Sequence, residues 1–436
     1  MIHEIAELET VFDAFSPSIT EKKTKDNRLE RMRLLLSFLG NPEKSFRTYH
    51  IAGSKGKGST AAYLASLLTG AGRRCGLYTS PHLFTIRERF RLSQSFFDDE
   101  LYIEVCNKLL DKVSSFSLPE EYGPAKPTVF EMYTAYGYML FKEAGCTDAV
   151  IETGLGGRLD ATNTIMPEAV LLTPIELEHT DVLGDTIEKI AREKSKIIVK
   201  DRPVFIARVE SAAATVFRKE AESNNAPIHA FCDEIKNFRT RTEEDCEVAA
   251  FTIDGHEYSL KLTMATKAMA ENAALAILAS IRLGFFTEHG MHEAERIQLP
   301  GRFEKRHIGK HLLVIDTAHT KHSAEASANA FRCISKSEKK TLLLALAQGK
   351  NSKGILEALL PVFDTIIITR TSFFKKSDPE ALYKNAKTLF PEKDIVLISS
   401  PDDAFDSALA LSSDILITGS FYLASEIKML RDCYES

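Results

Sequence analysis

The sequence predicts an α/β protein in two units, each built on a mostly parallel sheet with helices on its faces. Three observations predict it. Short apolar strands alternate with helical segments along most of the chain, the order that produces parallel sheets. A glycine-rich turn at residues 53–58 stands between the first such strand and an apolar helical stretch, as in phosphate-binding βα units. The alternation breaks at Leu299-Pro300-Gly301-Arg302 and then restarts, which reads as a linker and sets the units at residues 1–298 and 299–436.

The elements follow in order. Residues 21–39 are charged and then carry leucines at helical spacing; a strand is expected at 47–52 and a helix at 59–70. Ala149-Val150-Ile151 reads as a strand ending at Glu152, Ala169-Val170-Leu171-Leu172 as one ending near Thr173-Pro174, and Val204-Phe205-Ile206-Ala207 as a third. Helices are expected at 128–143 and 186–198. Residues 247–262 read as a hairpin turning at Asp254-Gly255. In the second unit, strands are expected at 312–315, 341–345, 365–369, 395–399 and 414–418. No internal repeat or low-complexity tract interrupts the chain.

The bulk properties exclude several classes. With 436 residues, 44% hydrophobic and 27% charged, the chain has the composition of a globular protein. A net charge of -6 argues against a general nucleic-acid binder, which carries a basic excess. Seven cysteines are scattered with no C-x-x-C pair, so neither a disulfide framework nor a structural zinc site is expected. The N-terminus has early acids and no long apolar core, and no apolar run reaches membrane-spanning length. A cytosolic protein with small-molecule partners is expected, with no nucleic acid and no membrane.

The strongest local signal is Ala52-Gly53-Ser54-Lys55-Gly56-Lys57-Gly58-Ser59-Thr60. Glycines let backbone N–H groups approach phosphate, and the following helix points its positive end there. Lys57 can reach outer phosphates, and Ser59 or Thr60 can ligate Mg²⁺. The spacing is not the literal G-x-x-x-x-G-K-[ST], because Gly58 separates Lys57 from Ser59; a glycine turn without ligand is the plainer alternative. Glu152, at a strand's C-terminal end before a glycine loop, suits a hard cation, although a solvated strand-end acid reads equally well. His179 follows the next strand; it can join Glu152 at a metal, but a lone histidine is more often structural.

Lys194 shares an apolar helical face with Ile187, Ile190 and Ala191. Such a lysine ordinarily snorkels to water; the alternative is a neutral, modified or anion-directed amine. Asp316 and His319 follow a strand of the second unit, and Arg302 lies in the linker. Arg87, Arg89 and Arg91 follow Ser80-Pro81-His82-Leu83 and can receive a substrate carboxylate; an exposed charged loop is the alternative.

These segments together resemble the folylpolyglutamate synthase and dihydrofolate synthase group of the Mur ligases, over nearly the whole chain from about Asn27. The matching strings include Tyr49-His50-Ile51-Ala52-Gly53, Gly56-Lys57-Gly58-Ser59, Tyr78-Thr79-Ser80-Pro81-His82-Leu83 and Arg87-Glu88-Arg89. Most specific is the run of residues 152–163, Glu152-Thr153-Gly154-Leu155-Gly156-Gly157-Arg158-Leu159-Asp160-Ala161-Thr162-Asn163. His179-Thr180-Asp181, Glu193-Lys194, Asn272-Ala273-Ala274, Pro300-Gly301-Arg302-Phe303-Glu304 and Gly419-Ser420-Phe421-Tyr422-Leu423 extend it.

The resemblance implies a P-loop-type ATPase domain followed by a Rossmann-like glutamate-ligase domain. It implies an ATP-dependent ligase that adds L-glutamate to a folate or forms dihydrofolate from dihydropteroate, through an acyl phosphate. In that reading residues Gly53, Ser54, Lys55, Gly56, Lys57, Gly58, Ser59 and Thr60 hold the triphosphate, and Asn272, Arg302 and Asp316 contact the nucleotide. Ser59, Glu152 and His179 ligate Mg²⁺, Lys194 is carbamylated, and His319 serves the glutamate and phosphate end. Ser80, Pro81, His82 and Arg87 face the folate. A monomer is expected, and use of K⁺ is left open.

The chain departs from the family pattern. Ser54-Lys55 replaces the T-N of T-N-G-K-G-S, and Glu178 replaces the usual Asp before the metal histidine. Thr266, Ala268 and Met269 stand where G-x-H-Q is usual, and D-G-A-H-N-P has become Asp316-Thr317-Ala318-His319-Thr320-Lys321. The departures cluster at the second unit's contribution to the site. A Mur-type ligase for another acid and amine, and a nucleotide-binding protein without catalysis, are the competing readings.

Overall fold

The computed structural model describes residues 1–15, 27–243, 246–263, 266–309, 311–371, 376–411, 413–427 and 429–430. Part of the charged stretch expected at 21–39, residues 21–26, lies outside them; the helix Arg28–Phe38 takes up the leucine-bearing part.

Among the described residues, ten strands precede the linker: β1 Arg47–Ala52, β2 Cys75–Tyr78, β3 Phe90–Leu92, β4 Asp148–Glu152, β5 Ala169–Leu172, β6 Val204–Ile206, β7 Ile228–Ala230, β8 Lys236–Glu243, β9 Cys246–Ile253 and β10 His256–Leu262. The first seven form one sheet, ordered β3-β2-β4-β1-β5-β6-β7 and parallel except at β2–β3. β1 pairs in parallel with β4 on one side and β5 on the other. The C-terminal ends of three neighbouring strands therefore open on one crevice, where open α/β sheets place their ligands. Alternate residues of β4 enter different cores: Val150 packs with the helices Lys57–Gly70 and Lys267–Arg282, while Ala149 and Ile151 pack with Asp99–Ser114 and Val129–Glu143. Burial on both faces is why these strands read as unbroken apolar runs.

The hairpin at 247–262 is present as β9 and β10, but β8 adds a third strand to it. β8 reads Lys-Asn-Phe-Arg-Thr-Arg-Thr-Glu, an edge strand blunted by charge, which conceals it from an apolar-pattern search.

After Leu299-Pro300-Gly301-Arg302 a second sheet is built from β11 Glu304–Ile308, β12 His311–Ile315, β13 Lys340–Leu344, β14 Thr365–Ile368, β15 Asp394–Leu397 and β16 Asp414–Thr418. Its order is β11-β12-β16-β13-β14-β15, parallel except for the edge strand β11. The two sheets meet through the segment after β2: Leu83 and Phe84 are buried in one apolar cluster with Ile315, Ile417 and Leu423 of the second sheet's unit. Among the described residues, no helix is long and apolar enough to cross a membrane.

Candidate active site

The loop after β1 is held from below. The backbone N–H groups of Ser54 and Lys55 donate to the Pro174 carbonyl at 2.8 and 3.1 Å, and Ser54 Oγ donates to the Glu176 carbonyl. Gly53 has no alternative, since a Cβ there would collide with Thr173. Gly56 takes φ +79° against the side chain of Asn272, as the N-cap of the helix Lys57–Gly70. The first-turn amides of Lys57, Gly58 and Ser59 have no acceptor within their own helix, and they open where the helix dipole favours an anion. Ser59 and Thr60 are buried there, and Thr60 Oγ1 has no hydrogen-bond partner among the described residues.

Glu152 stands at the end of β4 across from this turn. Its Oε1 lies 3.9 Å from Lys57 Nζ, and its Oε2 accepts the Ser80 N–H at 3.0 Å. Burial raises its pKa, and Lys57 opposes that rise. Gly58 leaves little room beside it, since a Cβ would stand 3.3 Å from Glu152 Oε2. Among the described residues no three His, Cys, Asp or Glu side chains gather as metal ligands. A single carboxylate beside a phosphate loop nevertheless suits Mg²⁺, which keeps several waters and takes other oxygens from substrate phosphates. His179 is exposed, at φ +47°, as N-cap of the short helix Thr180–Leu183. Desolvation, helped by Lys194 and Lys57 and opposed by Glu178, lowers its pKa, which keeps the imidazole in the neutral form that binds metals.

Lys194 does not snorkel. It is 1% exposed, and its Nζ donates to the Gly53 carbonyl at 2.7 Å and to Glu178 Oε1 at 3.1 Å. Burial, then the nearby Lys57, lowers its pKa to about 8, against the pull of Glu178. Its partner Glu178 is held below the usual carboxylate range: burial raises its pKa, but Lys194, Lys57 and Lys55 together outweigh that. The apolar stripe therefore delivers an amine to the underside of the loop rather than to solvent.

The second unit reaches the same crevice. Lys55 Nζ lies 3.2 Å from His319 Nε2, and His319 Nδ1 lies 2.8 Å from the Thr317 carbonyl. Arg302 donates to Thr317 Oγ1 at 3.1 Å. Asp316 accepts from Phe303 N and from Ser327 Oγ, and burial raises its pKa. Two of the departures from the family pattern act as caps: Thr266 accepts from Met269 N at the start of Lys267–Arg282, and Thr320 does the same for Lys321–Ile334. The local helix starts are thus kept with other residues.

Beyond Glu152, a cavity of about 380 Å³ is lined by Ser80, Pro81, Arg89, Phe130, Leu155 and Asp160 among others. Its polar walls are tied in place. Glu131 is bidentate to the buried Arg31, which also donates to the carbonyls of Tyr122, Pro124 and Lys126. Asp160 accepts from Leu155 N and Thr162 Oγ1, and Thr162 in turn meets His50 Nε2 at 2.8 Å. Arg89 lies over the Tyr133 ring, and its Nε donates to His82 Nδ1 at 2.7 Å. His82 Nε2 meets Glu9 at 3.1 Å.

The three arginines of the sequence do not form one anion receptor. Arg91 is buried on the carbonyls of Leu92 and Ser93, Arg87 pairs with Asp99 and covers Phe96, and only Arg89 lines the cavity. His82 stands behind Arg89 rather than on the wall. Reading the sequence missed Arg89's separate role, and missed Arg31, Glu131 and Phe130. Phe130 and Glu131 do fall in Pro127-Thr128-Val129-Phe130-Glu131, a further string that matches the family pattern, in which Thr128 and Glu131 form the capping box of Val129–Glu143.

The fold and this crevice define a Mur ligase, a class of ATP-dependent enzymes that join an acid to an amine. The Mur ligase middle-domain family matches residues 51–280, and the Mur ligase glutamate ligase domain matches residues 301–421. The chain is 32% identical over 415 residues to the dihydrofolate synthase/folylpolyglutamate synthase of Bacillus subtilis, covering 92% of this chain and 94% of that protein. It is 30% identical over 443 residues to its counterpart from Mycobacterium tuberculosis, with 93% and 90% covered. The M. tuberculosis folylpolyglutamate synthase solved with ADP superposes with a TM-score of 0.87 at 28% identity, over 99% of this chain and 98% of that one. That from Thermotoga maritima gives 0.84 at 26%, over 98% and 96%. The chain belongs to the folylpolyglutamate synthase/dihydrofolate synthase family.

Proposed function

We propose that this protein uses ATP to activate the carboxylate of a folate-type acceptor and joins it to the amine of L-glutamate. One observation carries the reading: Glu152 touches Lys57 of the phosphate loop with one oxygen and Ser80 of the cavity wall with the other. The phosphate end and the acceptor cavity thus share a residue, as they must if phosphorus is to pass to a carboxylate held in that cavity.

A free carboxylate is a poor acyl donor because oxide would have to leave. Its oxygen attacks the γ-phosphorus of ATP, ADP leaves, and an acyl phosphate results. The glutamate amine then attacks the acyl carbon, loses a proton, and phosphate departs. Lys57 and the first-turn amides offset charge on the transferring group. Ser59, Glu152 and His179 would hold Mg²⁺, which would supply positive charge to offset that of the phosphates. Asn272, against Gly56, and Arg302 and Asp316 across the crevice, would orient the nucleotide. Leu155, Phe130 and Pro81 give the acceptor apolar walls, with Arg89 for its polar edge. The units 1–298 and 299–436 would enclose the acyl phosphate and exclude water.

Lys194 fits carbamylation by its lowered pKa, since only the free amine adds CO₂; Glu178 would have to turn from it once the carbamate carries charge. Small-molecule partners alone, Mg²⁺ with use of K⁺ left open, a monomer and a cytosolic setting complete the reading. The test offers ATP, Mg²⁺ and labelled glutamate with tetrahydrofolate in one arm and dihydropteroate in the other. Label entering either acceptor supports the ligase and identifies the acceptor. Nucleotide binding with no label in either arm would favour the non-catalytic reading.

A further inference from the structure

We propose that Lys55 is a positioning residue: reaching out of the nucleotide loop into the second unit, its ammonium holds the His319 ring in one orientation, with Nε2 turned to the loop. The proposal rests on the reading above that His319 serves the glutamate end of the site.

The hydrogen-bond roles follow from the partners. The Thr317 carbonyl can only accept, so His319 Nδ1 carries the proton and donates to it. Nε2 then offers a lone pair, and the Lys55 ammonium, which can only donate, fills it. Both ring nitrogens are engaged, and the ring can neither flip nor change tautomer without losing one bond. Each end of the tie is itself anchored. Lys55's own N–H is fixed on Pro174, while the Thr317 N–H donates to the Gly301 carbonyl and its Oγ1 accepts from Arg302. The contact joins residues 264 positions apart and links the loop directly to the start of the helix Lys321–Ile334.

The surroundings act on both partners. Burial, with Arg302 and Lys350, lowers the Lys55 pKa, and Glu176 and Glu178 oppose that fall. Burial first, then Lys55, lowers the His319 pKa to about 4, with Lys350 and Arg302 adding to that and the Thr317 hydrogen bond opposing it. The ring therefore stays neutral at neutral pH. An asparagine, which the family pattern carries at this position, has too short a side chain to make the same reach. The lysine thus supplies a cross-unit support that the pattern alone does not contain.

The test compares Lys55→Met, which keeps length and loses the donor, with Lys55→Arg, which keeps a donor. Histidine ¹⁵N NMR, with His319→Gln identifying the resonance, reads the tautomer. Wild type and Lys55→Arg should show the Nδ1–H form, and Lys55→Met a mixture with an upward-shifted titration. In steady-state assays, Lys55→Met should raise KM for glutamate about tenfold, as loss of a charged hydrogen bond would, and Lys55→Arg should recover most of it. KM for ATP should stay within about twofold. An unchanged His319 tautomer would overturn the proposal. So would a rise in KM for ATP that matches the rise for glutamate, because Lys55 would then be an ordinary nucleotide-loop residue. Should the wild type add no glutamate at all, the functional reading fails, and the NMR comparison still decides the tie.

Discussion

The two ends of the crevice are built on opposite plans. At the acceptor cavity every charged wall residue described above is tied to a protein partner: Glu131 to Arg31, Asp160 to Thr162, Arg89 to His82. At the nucleotide loop the lysine that reaches for phosphate is held more loosely. Lys57 stands 3.9 Å from Glu152, and Lys55 and Lys194 span between elements. A pocket for a rigid, mostly apolar group gains from walls fixed beforehand. A site that must meet a polyanion and a cation, and then release them, needs charges whose present partners can be exchanged. The comparison makes a simple demand: a lesion at Lys57 should cost rate, and lesions at the cavity should cost stability or acceptor affinity.

The largest effect is expected at Lys57. Lys57→Met should lower kcat/KM by about a thousandfold or more with an unchanged melting temperature. A loss under about tenfold would remove Lys57 from phosphoryl transfer. Next is Arg31→Met, which strands Glu131 in the interior and should cost about 3–5 kcal/mol of stability, seen as a lower urea midpoint. Adding Glu131→Gln should recover part of it. If Arg31→Met alone leaves the midpoint in place, the cavity is not held by that pair.

A smaller change is expected at Arg89. Arg89→Lys keeps the charge but loses the planar fork seated on His82 and Tyr133; acceptor KM should rise about tenfold while KM for ATP holds. Equal rises in both constants would break the distinction between the two ends. Near neutral pH the smallest effect is a pH dependence from His50, which grows only as acid is added. Its ring is wholly buried, and burial lowers its pKa to about 3. The unfolded chain has an ordinary histidine near pKa ~6.5. Between those values the unfolded state binds more protons, so stability is complete above about pH 6.5 and declines as pH falls toward 3. His50→Gln should flatten that decline in urea midpoints taken across the window; an unaltered slope would assign the acid sensitivity to other groups.

Much of the loop end was legible in the sequence because it is local. Residues 52–60 are contiguous, and Glu152 and His179 each follow an apolar run that ends at a glycine or proline turn. The parallel order then brings those strand ends together. The cavity was far less legible. Arg31 and Glu131 lie 100 residues apart, and nothing in a helical pattern says that one arginine turns inward. Within Arg87-Glu88-Arg89-Phe90-Arg91, the choice of cavity residue depends on how a single 3₁₀ turn, Ile86–Arg89, joins β3. Lys194 was flagged by its apolar face, but the partner that keeps it inside, the Gly53 carbonyl, belongs to another element. β8 and β11 escaped notice because they carry the charge of edge strands, and β2, β3 and β7 because they run only three or four residues.

The central claim is that the acceptor's carboxylate is phosphorylated at the crevice between Lys57 and Ser80. The direct measurement uses acceptor labelled with ¹⁸O in that carboxylate, incubated with ATP, Mg²⁺ and glutamate, followed by mass analysis of the inorganic phosphate. One ¹⁸O delivered to phosphate for each amide formed is the predicted result. Amide formed with unlabelled phosphate, or phosphate released with no amide, would contradict the account.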